Sequence, residues 1–219
     1  MNKILQSSFY IFAVLWISSC NSAEEKKQQE EAIYYSTAIT PYTEAIITDS
    51  SDASLYYKRS LALSQIKKDS LAIKDIKKAI TLDPLNATYH SFEGELYNYI
   101  DDYDKALKAY NKAAEVDPKD LRIHTNIIKT LLFDDQIATA KAKINHLIKL
   151  IPDYPDAHYW DAMAHLLEKD TTKAINTLEH TLQLDPYFYE ASLKLSDLYA
   201  SQKNKSALEQ YLYTYSLDT

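Results

Sequence analysis

The sequence predicts an all-α fold built from stacked helix–turn–helix repeats. Three observations carry that expectation. Pro84, Pro118, Pro152 and Pro186 stand 34 residues apart, a period that marks a repeat array. Three of the four close the same phrase, Leu82-Asp83-Pro84, Val116-Asp117-Pro118 and Leu184-Asp185-Pro186, while Leu150-Ile151-Pro152 is degenerate. Beyond residue 31 the apolar pattern is helical throughout, with no convincing strand alternation.

Taken in order, the chain opens on a segment that reads as an address. Lys3 precedes a nine-residue apolar run from Phe9 to Ile17. A bilayer-spanning helix needs about 20 residues, so the run suits the core of a secretory signal peptide instead. Its end, Ile17-Ser18-Ser19-Cys20, resembles the bacterial lipobox, and the resemblance implies lipidation of Cys20. Cys20 is the only cysteine, so no disulfide forms within one chain. Asn21 is not the aspartate that retains such lipoproteins in the inner membrane, which favours an outer-membrane anchor. Residues 20–31 then form a charged tether whose reach is at most roughly 35 Å.

Counting back from each proline places repeat starts at Ala53, Ala87, Leu121, Pro155 and Tyr189. The register resembles the tetratricopeptide repeat, a 34-residue helix–turn–helix unit. The second repeat carries the likeness best, with Gly94 at position 8, Tyr97 at 11, Ala106 at 20, Tyr110 at 24, Ala113 at 27 and Pro118 at 32. Positions 20, 24 and 27 share one helix face, and small residues there let two helices approach closely. The resemblance implies a right-handed superhelical solenoid. Its expected divisions are a signal peptide 1–19, the tether 20–31, a degenerate half-repeat 32–52, repeats 53–86, 87–120, 121–154 and 155–188, and a shortened fifth, 189–219. In the half-repeat, Ala38, Tyr42 and Ala45 take positions 20, 24 and 27, and Pro41 predicts a kink or a late helix start. The third repeat departs most, with Ile128 at position 8 and Leu147 at 27.

Composition narrows the function. The chain has 24 Lys+Arg against 31 Asp+Glu, and only Arg59 and Arg122 are arginines, which argues against nucleic acid as a partner. Gly94 is the single glycine, so phosphate-cradling loops and strained nucleophile turns are absent. No cofactor is expected, and the chain reads as a binding module rather than an enzyme.

In the tetratricopeptide family the first helices line a concave groove. Carried onto this chain, the groove comprises Tyr57, Leu61, Tyr99, Arg122, Lys129, Leu132, Phe133, Tyr159, Met163, Leu166 and Leu167, with Glu95 and Asn98 beside them. Such a surface fits a protein or peptide with apolar anchors and an acidic residue. One subfamily clamps a partner's terminal carboxylate with Lys and Asn at positions 5 and 9; here those positions hold Tyr57 and Leu61, so chaperone-tail binding does not carry over.

His90, His124 and His158 all fall at position 4, about one helix-packing distance apart, on the order of 10 Å. They cannot share one ion and read as packing residues. An alternative of another class, a metal-dependent enzyme, would use His158, Asp161 and His165. The aromatic end, with Tyr211, Tyr213 and Tyr215, is a candidate for docking onto a second copy or another protein. The expectation is a lipid-anchored scaffold of the bacterial envelope that holds a protein partner, with assembly of outer-membrane proteins or a pilus secretin as the alternative task.

Overall fold

The computed structural model describes residues 32–201, with Gln28, Glu30 and Glu209. Cys20, the tether apart from Gln28 and Glu30, and Tyr211, Tyr213 and Tyr215 lie outside the described residues. No strand occurs among the residues described. Ten helices have defined bounds: α1 Thr40–Thr48, α2 Ala53–Gln65, α3 Asp69–Leu82, α4 Ala87–Tyr99, α5 Tyr103–Val116, α6 Leu121–Phe133, α7 Ile137–Leu150, α8 Pro155–Leu167, α9 Thr171–Leu184 and α10 Tyr189–Ser201. The chain divides into two compact units, Met1–Leu85 and Asn86–Thr219.

Local chemistry explains why the helices stop where they do. In the first four full repeats the turn after the first helix holds a left-handed residue: Lys67, Asp101, Asp135 and Lys169 all have φ between 56° and 64°. The N–H of the next residue reaches back five places, as in Lys68 to Leu63 and Gln136 to Leu131 at 2.9 and 2.8 Å. These are Schellman turns, usually closed by glycine. A chain with one glycine uses Lys and Asp there instead. Asp52, Asp102, Asp120 and Asp170 cap the following helices by accepting backbone N–H bonds.

The aspartate before each proline has a separate task. Asp117 accepts from the Lys119 N–H at 3.1 Å and Asp185 from the Tyr187 N–H at 3.0 Å, bridging over the proline, which has no N–H of its own. Ile151 has no carboxylate to do this. His124 and His158 latch the same turn, each through Nε2 to the carbonyl of Pro118 or Pro152 at 2.8 and 2.6 Å. Position 4 is therefore a hydrogen-bonding position as well as a packing one. A proline and a histidine six residues later, both on the 34-residue period, are the signal for it.

In the first unit, α1 packs on α2 and α2 on α3. The half-repeat differs from expectation. Pro41 sits in the first turn of α1, giving the late start, and the buried face is Ile39, Thr43 and Ile46. Ala38 is exposed, and Tyr42 and Ala45 are only partly covered. The inward face is thus one residue later than the repeat register gives, because isoleucines bury more apolar area than alanines. Thr43 is held there by polar contacts: its hydroxyl donates to the Tyr34 carbonyl at 2.8 Å and accepts from Arg59 Nη1 at 3.3 Å.

The second unit stacks α4 to α10 in sequence order. Ala106, Tyr110 and Ala113 of α5 are sealed, as are Ala140 and Ile144 of α7 and Ala174 and Leu178 of α9. A Cβ added to Gly94 would lie 2.8 Å from three atoms of the Tyr110 ring. The helix gives up about 1 kcal/mol of propensity so that α4 and α5 can touch.

Candidate functional site

In the second unit, position 13 of three successive repeats presents a large apolar side chain to solvent. Tyr99 is 70% exposed, Phe133 51% and Leu167 47%. Each is the last residue of its helix, and the Schellman turn that follows keeps the chain from covering it. Around Phe133 the surface is aromatic: Tyr103 and Trp160 both lie 6.4 Å away by ring centroid, the latter edge-on. Lys129 Nζ is 5.6 Å from the Phe133 centroid, within cation–π range. Trp160 was not among the residues expected from the sequence, since its position is not one the family uses for its groove.

Other residues expected in the groove are placed variously. Tyr159 and Met163 are half-buried against a core cluster that includes Ala162, Leu178 and Leu195. Leu166 is also partly covered. Arg122 is exposed but committed to Asp120, its own cap, at 2.8 Å. Leu132 is a correction: only 4% of it is exposed, so it contributes nothing to a groove. Position 12 faces the neighbouring first helix. Asn98, its counterpart in α4, shows the same direction by donating to Thr130 of α6 at 2.9 Å. In the first unit Tyr57 and Leu61 are half-buried on α2.

Glu95 interacts electrostatically with the cations of this surface. Burial raises its carboxyl above the ordinary value, opposed by Lys129 and Arg122. For a raised acid the folded state resists ionisation. The resulting loss of stability is absent below the unfolded pKa, about 4.3, and grows as pH rises through the folded value. Glu95→Gln is therefore expected to melt roughly 1–3 °C above the native chain at pH 7, with the gap closing near pH 4. Thermal melts at both pH values check this. An unchanged gap would mean the carboxylate is not the cause.

His158, Asp161 and His165 do not converge as a metal site. His158 spends Nε2 on Pro152 and sets its ring edge-on to His180, 4.7 Å away. His165 lies instead beside Asp161 and Glu168, at 3.7 and 3.4 Å. Glu168 is already held by Lys141 at 2.7 Å, which keeps its carboxyl below the usual range. Among the described residues no three His, Cys, Asp or Glu side chains are placed to hold a metal ion. No described helix is long and apolar enough to cross a membrane.

Comparison with known proteins agrees with the repeat fold. A family model for the tetratricopeptide repeat matches residues 53–84 and 87–120. A DnaJ homolog subfamily C member 3 homolog of Dictyostelium discoideum is 41% identical over 73 residues, 33% of this chain and 14% of that protein. The chain thus spans a small part of that relative's length. Among solved structures, YrrB, described as a tetratricopeptide-repeat protein with an unusual peptide-binding site, is 21% identical with a TM-score of 0.54, covering 80% of this chain and 90% of its own. PilF of Pseudomonas aeruginosa is 18% identical with a TM-score of 0.61, covering 90% and 87%. At these identities the structures establish fold alone. This chain carries tetratricopeptide repeats, in sequence over residues 53–84 and 87–120 and in fold over most of its length.

Proposed function

We propose that this chain is a lipid-anchored scaffold of the bacterial envelope that holds a protein or peptide partner on the exposed faces of its first helices. The observation that carries this reading is the stripe Tyr99, Phe133 and Leu167 beside Lys129. Large solvent-facing apolar side chains repeated on one period, with a cation alongside, suit apolar anchors interspersed with an acidic residue. The anchor is a separate element of the proposal and rests on Ile17-Ser18-Ser19-Cys20.

The test is affinity capture from crosslinked bacteria with quantitative mass spectrometry. It compares the native chain, a variant with Tyr99→Ala, Lys129→Glu and Phe133→Ala, and Cys20→Ser. Loss of one aromatic anchor from a well-packed interface costs about 2 kcal/mol or more, roughly a thirtyfold fall in affinity. The triple variant is expected to lose a partner enriched by the native chain while keeping its helicity. Cys20→Ser is expected to leave the membrane fraction. An identical captured set for the native and triple-variant chains would rule the stripe out as the binding surface.

A further inference from the structure

The outward side of α3 carries a face of lysines. Ser70, Lys74, Lys77, Lys78 and Thr81 are all exposed, and at 100° per residue they fall within an arc of about 100°. Lys67 and Lys68, in the turn before α3, are exposed as well, beside Ile66, which is 40% exposed. The two carboxylates of α3 lie off this side: Asp75 is buried against Arg59, and Asp69 stands in the first turn outside the arc. Lys67, Lys68, Lys74 and Lys78 form no ion pair among the described residues. The second helices of two later repeats differ. In α5 Lys105 pairs with Asp102 and Lys112 with Glu115, and in α9 Lys173 pairs with Asp170.

Charge along the chain is uneven in the same sense. Residues 32–85 hold seven Lys+Arg against six Asp+Glu, whereas residues 86–219 hold 14 against 21. The later segment thus accounts for the whole net charge of −7. The near-neutral segment, which presents the lysine face, is the one that follows Ile17-Ser18-Ser19-Cys20 by a tether reaching at most roughly 35 Å. The chemistry of the face narrows its partner. It offers neither an aromatic side chain nor an arginine, the anchors from which protein interfaces draw most of their energy. Lysine is a strongly hydrated point charge without fork geometry, suited to a diffuse layer of headgroup charge rather than to one oriented carboxylate. Ile66 adds a single apolar side chain at the edge, of the kind that enters the boundary between headgroups and acyl chains.

We propose that this face, Lys67, Lys68, Lys74, Lys77 and Lys78 with Ile66 at its edge, lies on an anionic phospholipid surface. The proposal rests on the lipid-anchor reading above for what brings the face to the membrane. Each lysine within a Debye length of such a surface strengthens binding about fivefold. An anchor at Cys20 holds the face near enough for those small gains to act together. The net charge of the later segment opposes contact with the same surface. The lysines therefore fix which side of the first unit meets the lipid, a choice that an acyl chain at Cys20 leaves open.

The test uses the full-length chain with Cys20→Ser, so that no acyl chain contributes. A failure of the anchor reading, seen in the membrane fractionation above, then leaves this result standing. Binding is measured to vesicles of phosphatidylcholine alone and of phosphatidylcholine with about 30% phosphatidylglycerol. The apolar run Phe9 to Ile17 is common to every variant, so differences between variants are read. Lys67→Gln, Lys68→Gln, Lys74→Gln and Lys78→Gln together should lower affinity for the anionic vesicles at least about tenfold and leave the neutral ones unchanged. That gap should close to within about threefold as salt rises from about 0.1 to about 0.5 M. Lys105→Gln, Lys108→Gln, Lys112→Gln and Lys119→Gln remove the same charge from exposed sites of the second unit and should keep binding within about threefold of the parent chain. Equal binding by the parent and the first variant, or an equal loss in both variants, overturns the proposal. Should the first variant lose helicity, Lys74→Gln with Lys78→Gln decides, and a loss below about twofold from that pair likewise overturns it. An acidic protein captured by the parent but not by the first variant, without any effect on vesicles, would replace lipid as the occupant.

Discussion

Asp75→Ala is expected to destabilise the first unit by about 3–5 kcal/mol, the cost of leaving a buried charge without its partner. Arg59 of α2 is 9% exposed and Asp75 of α3 is 3% exposed. Two parallel bonds join them, Nε to Oδ2 at 2.6 Å and Nη2 to Oδ1 at 2.8 Å, the fork geometry specific to arginine. The guanidinium also lies 4.4 Å from the Tyr34 ring centroid. Burial, with Asp75 adding to it, pushes the Tyr34 hydroxyl up to about 12. Tyr34 thus stays neutral and presents its ring face to the cation. Removing Asp75 leaves the buried cation with the Thr43 hydroxyl and the Tyr34 and Tyr56 rings but no opposite charge; replacing both partners, as Arg59→Met with Asp75→Leu, removes the charge altogether. The double variant is expected to recover most of the loss. Chemical unfolding followed by far-ultraviolet circular dichroism measures all three. A single-variant loss below about 1 kcal/mol would mean that water reaches Arg59 and the pair counts as a surface one.

Gly94→Leu should cost on the order of 3 kcal/mol, against a helix-propensity gain of about 1 kcal/mol that a solvent-facing site would show. Opposite signs make this a clean contest. The Tyr110 ring that a new Cβ would meet at 2.8 Å is fully buried. Its hydroxyl accepts from Asn98 at 3.3 Å, and burial holds its pKa far above the ordinary range. The ring cannot swing out without breaking α4 from α5. Gly94→Ala should show the same sign at about 1 kcal/mol, and Tyr110→Leu in that background should restore part of it by yielding space. A Gly94→Ala chain that melts above native would show that the ring gives way freely.

These two sites differ in how legible they were. Gly94 could be read from the sequence, because a lone glycine at position 8 with Tyr110 sixteen residues on has one physical explanation, close approach. The Arg59–Asp75 pair could not. Nothing in a sequence says that a charge at position 7 of one helix faces inward to a carboxylate on the next; the surface is the commoner place for both residues. The inward face of the half-repeat was hidden for a related reason. The alanines at 38 and 45 matched the register, but Ile39 and Ile46 had more area to bury.

The candidate site divides along similar lines. Tyr99, Phe133 and Leu167 end their helices at equivalent positions, and a period alone locates them. Leu132, one residue earlier, is buried, and only the packing around α6 reveals it. Trp160 joins Phe133 from the following repeat, a contact that sequence spacing does not predict.

By itself the sequence determined the all-helical repeat fold, the proline-marked turns that end the second helices and the want of any phosphate-cradling glycine loop, because periodicity, caps and backbone restrictions act over a few residues. The tertiary structure decided the inward face of α1, the burial of Arg59 with Asp75 and the burial of Leu132. Each of those depends on volumes and charges brought together across two helices, where the same side chain can lie inside or outside according to what meets it.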